Sequence, residues 1–357
     1  MSETAMRREI IIAGLGETEP ILADSRSIPE MVLVAVEAAL ADAGIGYGEI
    51  DAVVTASVDL FDGITASNIA VTEVVGAVMK PETRISADGL AAIAHGACQI
   101  WAGAYETVLV VAHAKTSMAR YQDLTQWAMD PIHVQPLGVD FLTCAGLQAS
   151  LLAHGDPGAD RRWAQIAAER RGRAGTPLAP ASSVEEILAS EPVAFPLRQG
   201  MCAPMGDGAC AIVLRGATAS AQVPVLSGVG YDLEPHALGD RDLTHWHGLE
   251  RALRRACKNA GVEREHTHFD LAEPSCLFPH EEELFIAAAG LGDNTQVSRD
   301  GGLLAGCVPV VAGMSRLAAA ARQLRGAKGG GRRALVHGTW GPAAQGQIVA
   351  ILDGAAL

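Results

Sequence analysis

The feature that most constrains the fold is the alternation of short apolar strands with helices rich in alanine and glycine. Residues 8–16 (REIIIAGLG) predict a buried strand, because a β-branched run ends there in glycines. A helix is predicted next, with Ser27 near its start and Gly44 at its end. The elements that follow are strands at 50–57, 106–112 and 206–214 and a small-residue helix at 86–104. Because these strands are apolar throughout, they predict an α/β protein whose mostly parallel sheet is covered on both faces.

The second half of the chain repeats this order of elements. Its predicted elements are a strand at 224–231, a helix at 243–260, a strand at 269–273, helices at 280–289 and 310–324, and strands at 333–336 and 345–352. The period is too long for a solenoid, so the repetition predicts two duplicated half-domains, residues 1–220 and 221–357. A proline-rich excursion at 115–198, with two helical stretches, interrupts the first half and is expected to carry ligand contacts.

Composition and charge exclude several classes of function. The formal net charge of −14 and the aromatic content of 4% disfavour a nucleic-acid partner, because such binding rests on clustered basic side chains and stacking platforms. The seven cysteines form no CxxC pair, and no Cys/His cluster has zinc-ligand spacing, so no metal is expected. A polar start and the absence of an apolar run of about 18 residues predict a cytoplasmic chain without a membrane span.

Short segments in a fixed order carry a resemblance to a known family. They are 86–92 (SADGLAA), 105–111 (YETVLVV), 196–198 with 205–211 (PLR and MGDGACA), 301–304 (GGLL) and 337–341 (HGTWG). In this order they resemble the thiolase superfamily, and within it the sterol-carrier-protein-type thiolases. The resemblance implies an α-β-α-β-α layered fold of two similar halves. It also implies a homodimer or heterodimer with another thiolase-like chain, in which one sheet edge pairs across a twofold axis.

The sequence departs from the catalytic residues of that family at each motif. Ser86 stands where the family has its nucleophilic cysteine. Ser275 replaces the histidine of the His-Asp-Cys-Phe motif, and Cys276 falls one place before that motif's cysteine. Val308 stands where the Gly-His-Pro motif has its histidine. A serine hydroxyl is a poor nucleophile without an adjacent base, so ordinary thiolase activity is not expected.

Three functional interpretations stay open on the sequence alone. Ser86 could be a nucleophile activated by His280 or His337. The pocket could instead catalyse a reaction that needs no acyl-enzyme, such as retro-aldol cleavage of an acyl-CoA. In the favoured interpretation the chain is a catalytically silent subunit of a heteromeric acyl-CoA-processing complex. Its partner would be an active thiolase-like chain or an OB-fold, zinc-binding companion, as among relatives of this type.

The resemblance also implies where the site lies and what it binds. The expected pocket is formed by Ser86, Ser275, Cys276, Val308 and Gly341, and its ligand is expected to be a coenzyme A thioester, with no covalently bound cofactor. The backbone N–H groups of Ser86 and Gly341 are expected to form an oxyanion hole.

Ordinary structural roles compete with these assignments. Ser86 is equally suited to cap the helix predicted at 86–104. Asp88 suits the first turn of that helix, and Cys276 and Cys307 suit an apolar core. His280, which precedes three glutamates, is expected to be exposed in a first turn, whereas His337 is expected to be hydrogen-bonded at a strand end.

Overall fold

The computed structural model describes residues 8–174, 176–217, 223–325 and 330–354. The strands are β1 (Glu9–Glu17), β2 (Ala52–Ala56), β3 (Glu82–Ile85), β4 (Thr107–Ala114), β5 (Pro192–Ala194), β6 (Leu197–Arg198), β7 (Gly208–Ala217), β8 (Val225–Leu233), β9 (Leu271–Glu273), β10 (Gln296–Val297), β11 (Arg333–Trp340) and β12 (Gly346–Asp353). The α-helices are α1 (Ile28–Ala43), α2 (Asp59–Asp62), α3 (Gly89–Trp101), α4 (Tyr121–Trp127), α5 (Phe141–Ala153), α6 (Ala159–Ala174), α7 (Val184–Ala189), α8 (His247–Ala260), α9 (Pro279–Ala289) and α10 (Ala312–Leu324). The predicted domain boundary at 220/221 lies outside the described residues.

The two halves of the chain contain the same order of strands. Within the described residues a ten-stranded sheet has the order β10-β9-β11-β12-β8-β1-β7-β4-β2-β3. β1 and β8 meet antiparallel at its centre, where Ile11 pairs with Val225. Counted outward from that pair, β7, β4, β2 and β3 on one side correspond to β12, β11, β9 and β10 on the other. The duplication predicted from the sequence is therefore present in the topology.

The sheet is mixed rather than parallel throughout. The three outer strands of each half run parallel, β4-β2-β3 in the first half and β11-β9-β10 in the second. The inner strands are antiparallel to their neighbours. The predicted parallel pairing thus holds for the outer part of each half, where helices connect the strands. The parallel prediction is wrong towards the centre of the sheet. There β7, which follows the long excursion, pairs antiparallel with β1 and β4.

Helices α3 and α10 form the central layer of the fold. They contact each other, and their buried faces share one core cluster with side chains from both halves of the sheet. Leu90 and Ile93 of α3 and Met314 and Leu317 of α10 are fully buried in that cluster. α1 covers the outer face of the first half and α8 that of the second. These contacts give the predicted α-β-α-β-α layering.

Close packing between the first strand and the first helix occurs identically in both halves. At Gly16 in β1, a Cβ atom would collide with the carbonyl oxygen of Ala35 in α1. At Gly230 in β8, a Cβ atom would collide in the same way with the carbonyl oxygen of Ala252 in α8. Glycine at these positions lets a helix backbone lie directly on the sheet. The alanine- and glycine-rich composition therefore reflects backbone contact between layers.

The first helix begins and ends where the sequence predicts. The N–H of Ser27 donates to Glu30 Oε2 over 2.7 Å, and the N–H of Glu30 donates to Ser27 Oγ over 3.4 Å, which is a capping box. Gly44 ends the helix in the left-handed conformation, with φ of 68°. In the described part of the chain, no helix combines the length and the apolar character needed to cross a membrane.

Candidate functional site

A cavity of about 230 Å³ lies where the two halves and the excursion meet. Its walls come from the segment around α2, the segment after β3, the excursion, the loop between β9 and α9, the loop before α10 and the turn between β11 and β12. The polar lining residues are Ser86, Asp88, Tyr121, Ser275, Glu281, Cys307 and Thr339. The segments that resemble family motifs around residues 86, 275, 307 and 341 therefore reach one cavity.

Three of the five residues predicted to form the pocket do line this cavity, namely Ser86, Ser275 and Gly341. Cys276 lies instead in the outer core of the second half, with Trp246 and Phe285. The side chain of Val308 packs beside Gly208 and lines a second cavity of about 250 Å³. The structure therefore does not bring Cys276 and Val308 to the cavity.

Ser86 lies at the mouth of the cavity and is exposed to solvent. It follows the edge strand β3 and precedes α3 by three residues, so the prediction that it caps this helix is wrong. Among the residues that the structure describes, none forms a hydrogen bond with its hydroxyl group. Ser86 therefore lacks the hydrogen-bonded base that activates a serine nucleophile.

Asp88 is the residue that caps α3. It is 3% exposed, and its two carboxylate oxygens accept hydrogen bonds from the N–H groups of Leu90 and Gly313, each over 2.9 Å. A Cβ atom at Gly313 or Gly338 would collide with its Oδ1 atom. Burial raises the pKa of Asp88 to about 7, against the effect of the two N–H donors. Asp88 thus joins α3 to α10, and both of its oxygens are already in use.

Glu281 is the second buried carboxyl group of the cavity. It lies in the first turn of α9 and is 4% exposed. A single oxygen, Oε2, accepts both of its backbone hydrogen bonds, from the N–H of Leu277 over 2.7 Å and of Phe278 over 3.3 Å. Burial raises the pKa of Glu281 to about 7, although these bonds oppose the rise. Within the described residues Oε1 has no hydrogen bond, so this oxygen can act on a ligand.

Neither candidate histidine lines the cavity. His280 is fully buried between Trp163 and Phe278, at ring-centroid distances of 5.6 and 5.7 Å, so the expected exposure is wrong. Neither ring nitrogen of His280 has a hydrogen-bond partner within the described chain. Burial alone lowers its pKa to about 3, so the ring is neutral.

His337 is buried on the face of β11 that is turned to the outer core of the second half, where it packs against Trp246 and Phe285. Its Nε2 atom lies 2.6 Å from Oε1 of Gln347, which fits the expected hydrogen-bonded structural histidine. The expected position at a strand end is wrong, because β11 continues to Trp340. Burial lowers the pKa of His337 to about 4, against the effect of that bond. Neither His280 nor His337 can therefore serve as the base that a nucleophilic Ser86 would need.

Ser275 and Cys307 contribute the remaining buried polar atoms of the cavity wall. Ser275 is 1% exposed, and its hydroxyl has no hydrogen-bond partner among the described residues. Cys307 is also 1% exposed, and burial raises the pKa of its thiol, with Asp88 as a further cause. The thiol is therefore protonated at neutral pH and is not a thiolate nucleophile.

The backbone N–H groups of Ser86 and Gly341 lie in residues that line the cavity. Neither group donates a hydrogen bond within the described parts of the chain. Gly341 adopts a left-handed conformation with φ of 78°, which a residue with a side chain rarely adopts. Two unpaired backbone donors at one cavity can stabilise a negatively charged oxygen.

Solved structures of thiolases and thiolase-like proteins superpose on nearly the whole chain. The human mitochondrial 3-ketoacyl-CoA thiolase gives a TM-score of 0.79 at 18% identity, covering 99% of this chain and 100% of that one. The chain has a thiolase fold. A monomeric SCP2-thiolase-like protein type 1 from Mycobacterium smegmatis gives 0.76 at 20% identity, covering 98% of this chain and 78% of that one. The Ltp2-ChsH2(DUF35) aldolase gives 0.77 at 19% identity, covering 97% and 98%.

The thiolase fold is thus supported by structure rather than by sequence similarity. No protein-family model matches the chain, and a search of curated proteins finds no match. The human thiolase also superposes in a complex with CoA, with a TM-score of 0.78 at 17% identity, covering 99% of this chain and 100% of that one.

Glu281 and Cys307 are among the residues of the thiolase-fold cavity that the sequence did not single out for the site. Glu281 is one of three consecutive glutamates, which favour a solvated helix start. Cys307 directly precedes the position of the lost histidine, but its residue type alone favours a core position. One feature of the sequence points to Glu281. It lies four residues after Leu277, and Leu277 belongs to the segment that stands at the position of the family's His-Asp-Cys-Phe motif.

Proposed function

We propose that this thiolase-fold protein binds a coenzyme A thioester and cleaves or forms a carbon–carbon bond in it without an acyl-enzyme intermediate. The observation that carries the proposal is Glu281, a buried carboxyl group in the cavity with one oxygen free and a pKa of about 7. A group with such a pKa exchanges protons readily at neutral pH, as a general base must. Asp88 has a similar pKa, but its oxygens hold α3 and α10 together.

The reaction that fits these groups is aldol chemistry at a 3-hydroxyacyl-CoA. Ionised Glu281 would take the proton of the 3-hydroxyl group, the C2–C3 bond would break, and a carbonyl would form at C3. The electron pair of the broken bond would form a thioester enolate, whose oxygen the N–H groups of Ser86 and Gly341 would stabilise. Protonation of C2 then gives a shorter acyl-CoA and an aldehyde or ketone. The proton lost from the hydroxyl balances the one gained at C2, so no further reactant is needed.

The substrate class and the reaction type are supported by likeness to two structures. The human thiolase that superposes on the chain was solved with CoA, and another match is described as an aldolase. The apolar character of the cavity wall, which includes Phe61, Phe141 and Leu277, suits an acyl group rather than a polar substrate.

Turnover of a 3-hydroxyacyl-CoA tests the proposal. The purified chain is expected to release a shortened acyl-CoA and a carbonyl compound, both quantified by liquid chromatography with mass detection. Glu281→Gln is expected to lower kcat at least about 100-fold, the lower range for a general base, while binding of CoA persists. Glu185→Gln, an exposed change on α7, serves as the matched control. Equal turnover by Glu281→Gln and the control would refute the role of Glu281.

A second candidate function is that of a silent subunit in a heteromeric complex. The excursion exposes large apolar side chains that a partner would cover, namely Met118, Trp127, Ile132 and Leu137, each at least 59% exposed. The aldolase that superposes on this chain is described with a DUF35 partner, which supports a heteromeric arrangement. Affinity purification of the tagged chain from its native host tests this function. A stoichiometric companion, without which the chain shows no turnover, would favour the silent subunit.

A further inference from the structure

A cluster of metal-ligand side chains lies at the start of α8, away from the residues that line the 230 Å³ cavity. The local sequence is His245-Trp-His-Gly-Leu-Glu250. Nε2 of His245 lies 2.9 Å from Oε1 of Glu250, and Nδ1 of His247 lies 3.7 Å from Oε2 of the same carboxylate. One ligand atom from each of the three residues lies within 4.8 Å of the others.

These separations match the needs of a tetrahedral metal ion. Ligand atoms about 2.0 Å from a zinc ion lie about 3.3 Å from one another in a tetrahedral site. The observed 2.9 and 3.7 Å, which run to the two oxygens of the Glu250 carboxylate, lie on either side of that value. One ligand atom from each residue lies within 4.8 Å of the others, so side-chain rotations can bring three ligand atoms to one ion. Two imidazole nitrogens and one carboxylate suit Zn²⁺ and its neighbours, whereas Mg²⁺ and Ca²⁺ prefer oxygen ligands alone.

We propose that His245, His247 and Glu250 bind a divalent transition-metal ion, with Zn²⁺ as the ion that this donor set favours. Their side chains are 33%, 51% and 34% exposed, so an ion can enter from solvent and retain an open position for water. Asp242, on the preceding turn, adds negative charge on the same side, and its carboxylate is fixed by the N–H and hydroxyl groups of Thr244.

A second histidine–glutamate pair shows why the cluster is more than a surface hydrogen bond. Nε2 of His266 lies 3.6 Å from Glu263, but both side chains are about four-fifths exposed. Among the described residues, no third histidine, cysteine or carboxylate joins that pair to form a group of three ligands. In contrast, the rings of His245 and His247 lie 4.4 Å apart between centroids, so their nitrogens converge on one carboxylate.

The metal site is connected to the wall of the cavity through the loop that precedes it. Arg241, which lies in that loop, is buried and donates hydrogen bonds to the carbonyl groups of Pro342 and Ala343. Ala343 lines the cavity, and the carbonyl of Leu243 accepts a bond of 2.9 Å from the side chain of Gln148. An ion that ties His245 to the first turn of α8 therefore stabilises the loop that supports this wall.

Zinc titration of the intact chain tests the site. Calorimetry is done after chelator treatment in a Cys98→Ser background, which removes the exposed thiol as a competing ligand. One saturable Zn²⁺ site per chain is expected, together with a higher melting temperature in Zn²⁺. The double variant His245→Ala/His247→Ala is expected to lose both effects, whereas His266→Ala keeps them.

A variant that preserves the shape of the cluster guards against misfolding as an explanation. Glu250→Gln keeps the side-chain size and is expected to weaken binding beyond the roughly 10- to 100-fold that loss of an outer-shell partner costs. Melting in chelator reports whether each variant is folded. The proposal is overturned if the parent chain shows no saturable binding, or if folded double-variant protein binds Zn²⁺ as tightly as the parent.

Discussion

Replacing Glu281 with glutamine is expected to remove a pH-dependent loss of stability. Burial raises the pKa of Glu281 from 4.5 to about 7, so the folded state binds this proton more tightly than the unfolded state. The stabilisation from the neutral carboxyl is fully present below pH 4.5 and is lost as the pH rises through about 7. The difference between the two pKa values corresponds to about 3 kcal/mol of unfolding free energy.

The glutamine side chain preserves the local structure on which this estimate rests. Both backbone hydrogen bonds reach the single oxygen Oε2, and an amide oxygen can accept them in the same way. Asp88 and Glu273, whose pKa values burial also raises to about 7, are present in both proteins, so their contributions cancel in the comparison. The stability advantage of Glu281→Gln is therefore expected to grow from about 1 kcal/mol at pH 5 to about 3 kcal/mol at pH 8.

Urea unfolding at pH 5, 6.5 and 8 measures this difference. The control is Glu185→Gln, which removes an exposed carboxylate that pairs with Arg161 on the surface. A constant difference between wild type and Glu281→Gln across this pH range would refute the argument from burial. A variant that is less stable than wild type at pH 8 would show that the carboxylate is stabilised by a charge that the described contacts do not include.

Three further substitutions test the roles of Ser86, Gly338 and Ser27. Ser86→Ala is expected to keep the kcat of retro-aldol turnover within about tenfold of wild type. Loss of a true serine nucleophile would instead lower kcat about 10⁶-fold. Steady-state kinetics of the variant distinguishes the two outcomes. Gly338→Ala is expected to cost about 1–3 kcal/mol in urea unfolding, because its Cβ collides with Asp88 and lies 3.0 Å from Ile348 Cγ2. Gly239→Ala, with no atom within 4 Å of its Cβ, is the control and should stay near wild type. Ser27→Ala is expected to lower the unfolding free energy by about 1 kcal/mol through loss of the capping box, measured in the same way.

The fold could be predicted from the sequence because its strands are buried and its helices carry local end signals. β1 and β8 are apolar runs that contain glycines, β4 is a nearly continuous apolar run, and the capping-box residues of α1 lie three positions apart in the chain. β3 was not predicted, because this half-buried edge strand reads Glu-Thr-Arg-Ile and carries no apolar pattern. Its existence depends on pairing with β2, which the local sequence does not encode.

The site could be predicted only in part, because it is assembled from distant segments. The family resemblance located Ser86, Ser275 and Gly341, and all three line the cavity. The burial of His280 could not be predicted, because Trp163 of the excursion covers it and that contact spans more than 100 residues. The role of Asp88 as helix cap was hidden by Ser86, an equally good capping residue two positions earlier.

The metal-ligand cluster was missed for a different reason. The sequence contains no Cys/His cluster with structural-zinc spacing, which is the pattern that predicts a metal site. His245, His247 and Glu250 converge only because the chain turns into α8 between the first histidine and the glutamate. The predicted dimer, the OB-fold companion and the cytoplasmic location stay predictions.

The central claim is that carbon–carbon chemistry on a coenzyme A thioester proceeds here without an acyl-enzyme. Intact-protein mass spectrometry, on samples quenched while a 3-hydroxyacyl-CoA is being turned over, tests it most directly. A shortened acyl-CoA and a carbonyl product are expected beside protein of unmodified mass. A protein adduct with the mass of the acyl group, present in wild type and absent from Ser86→Ala, would contradict it.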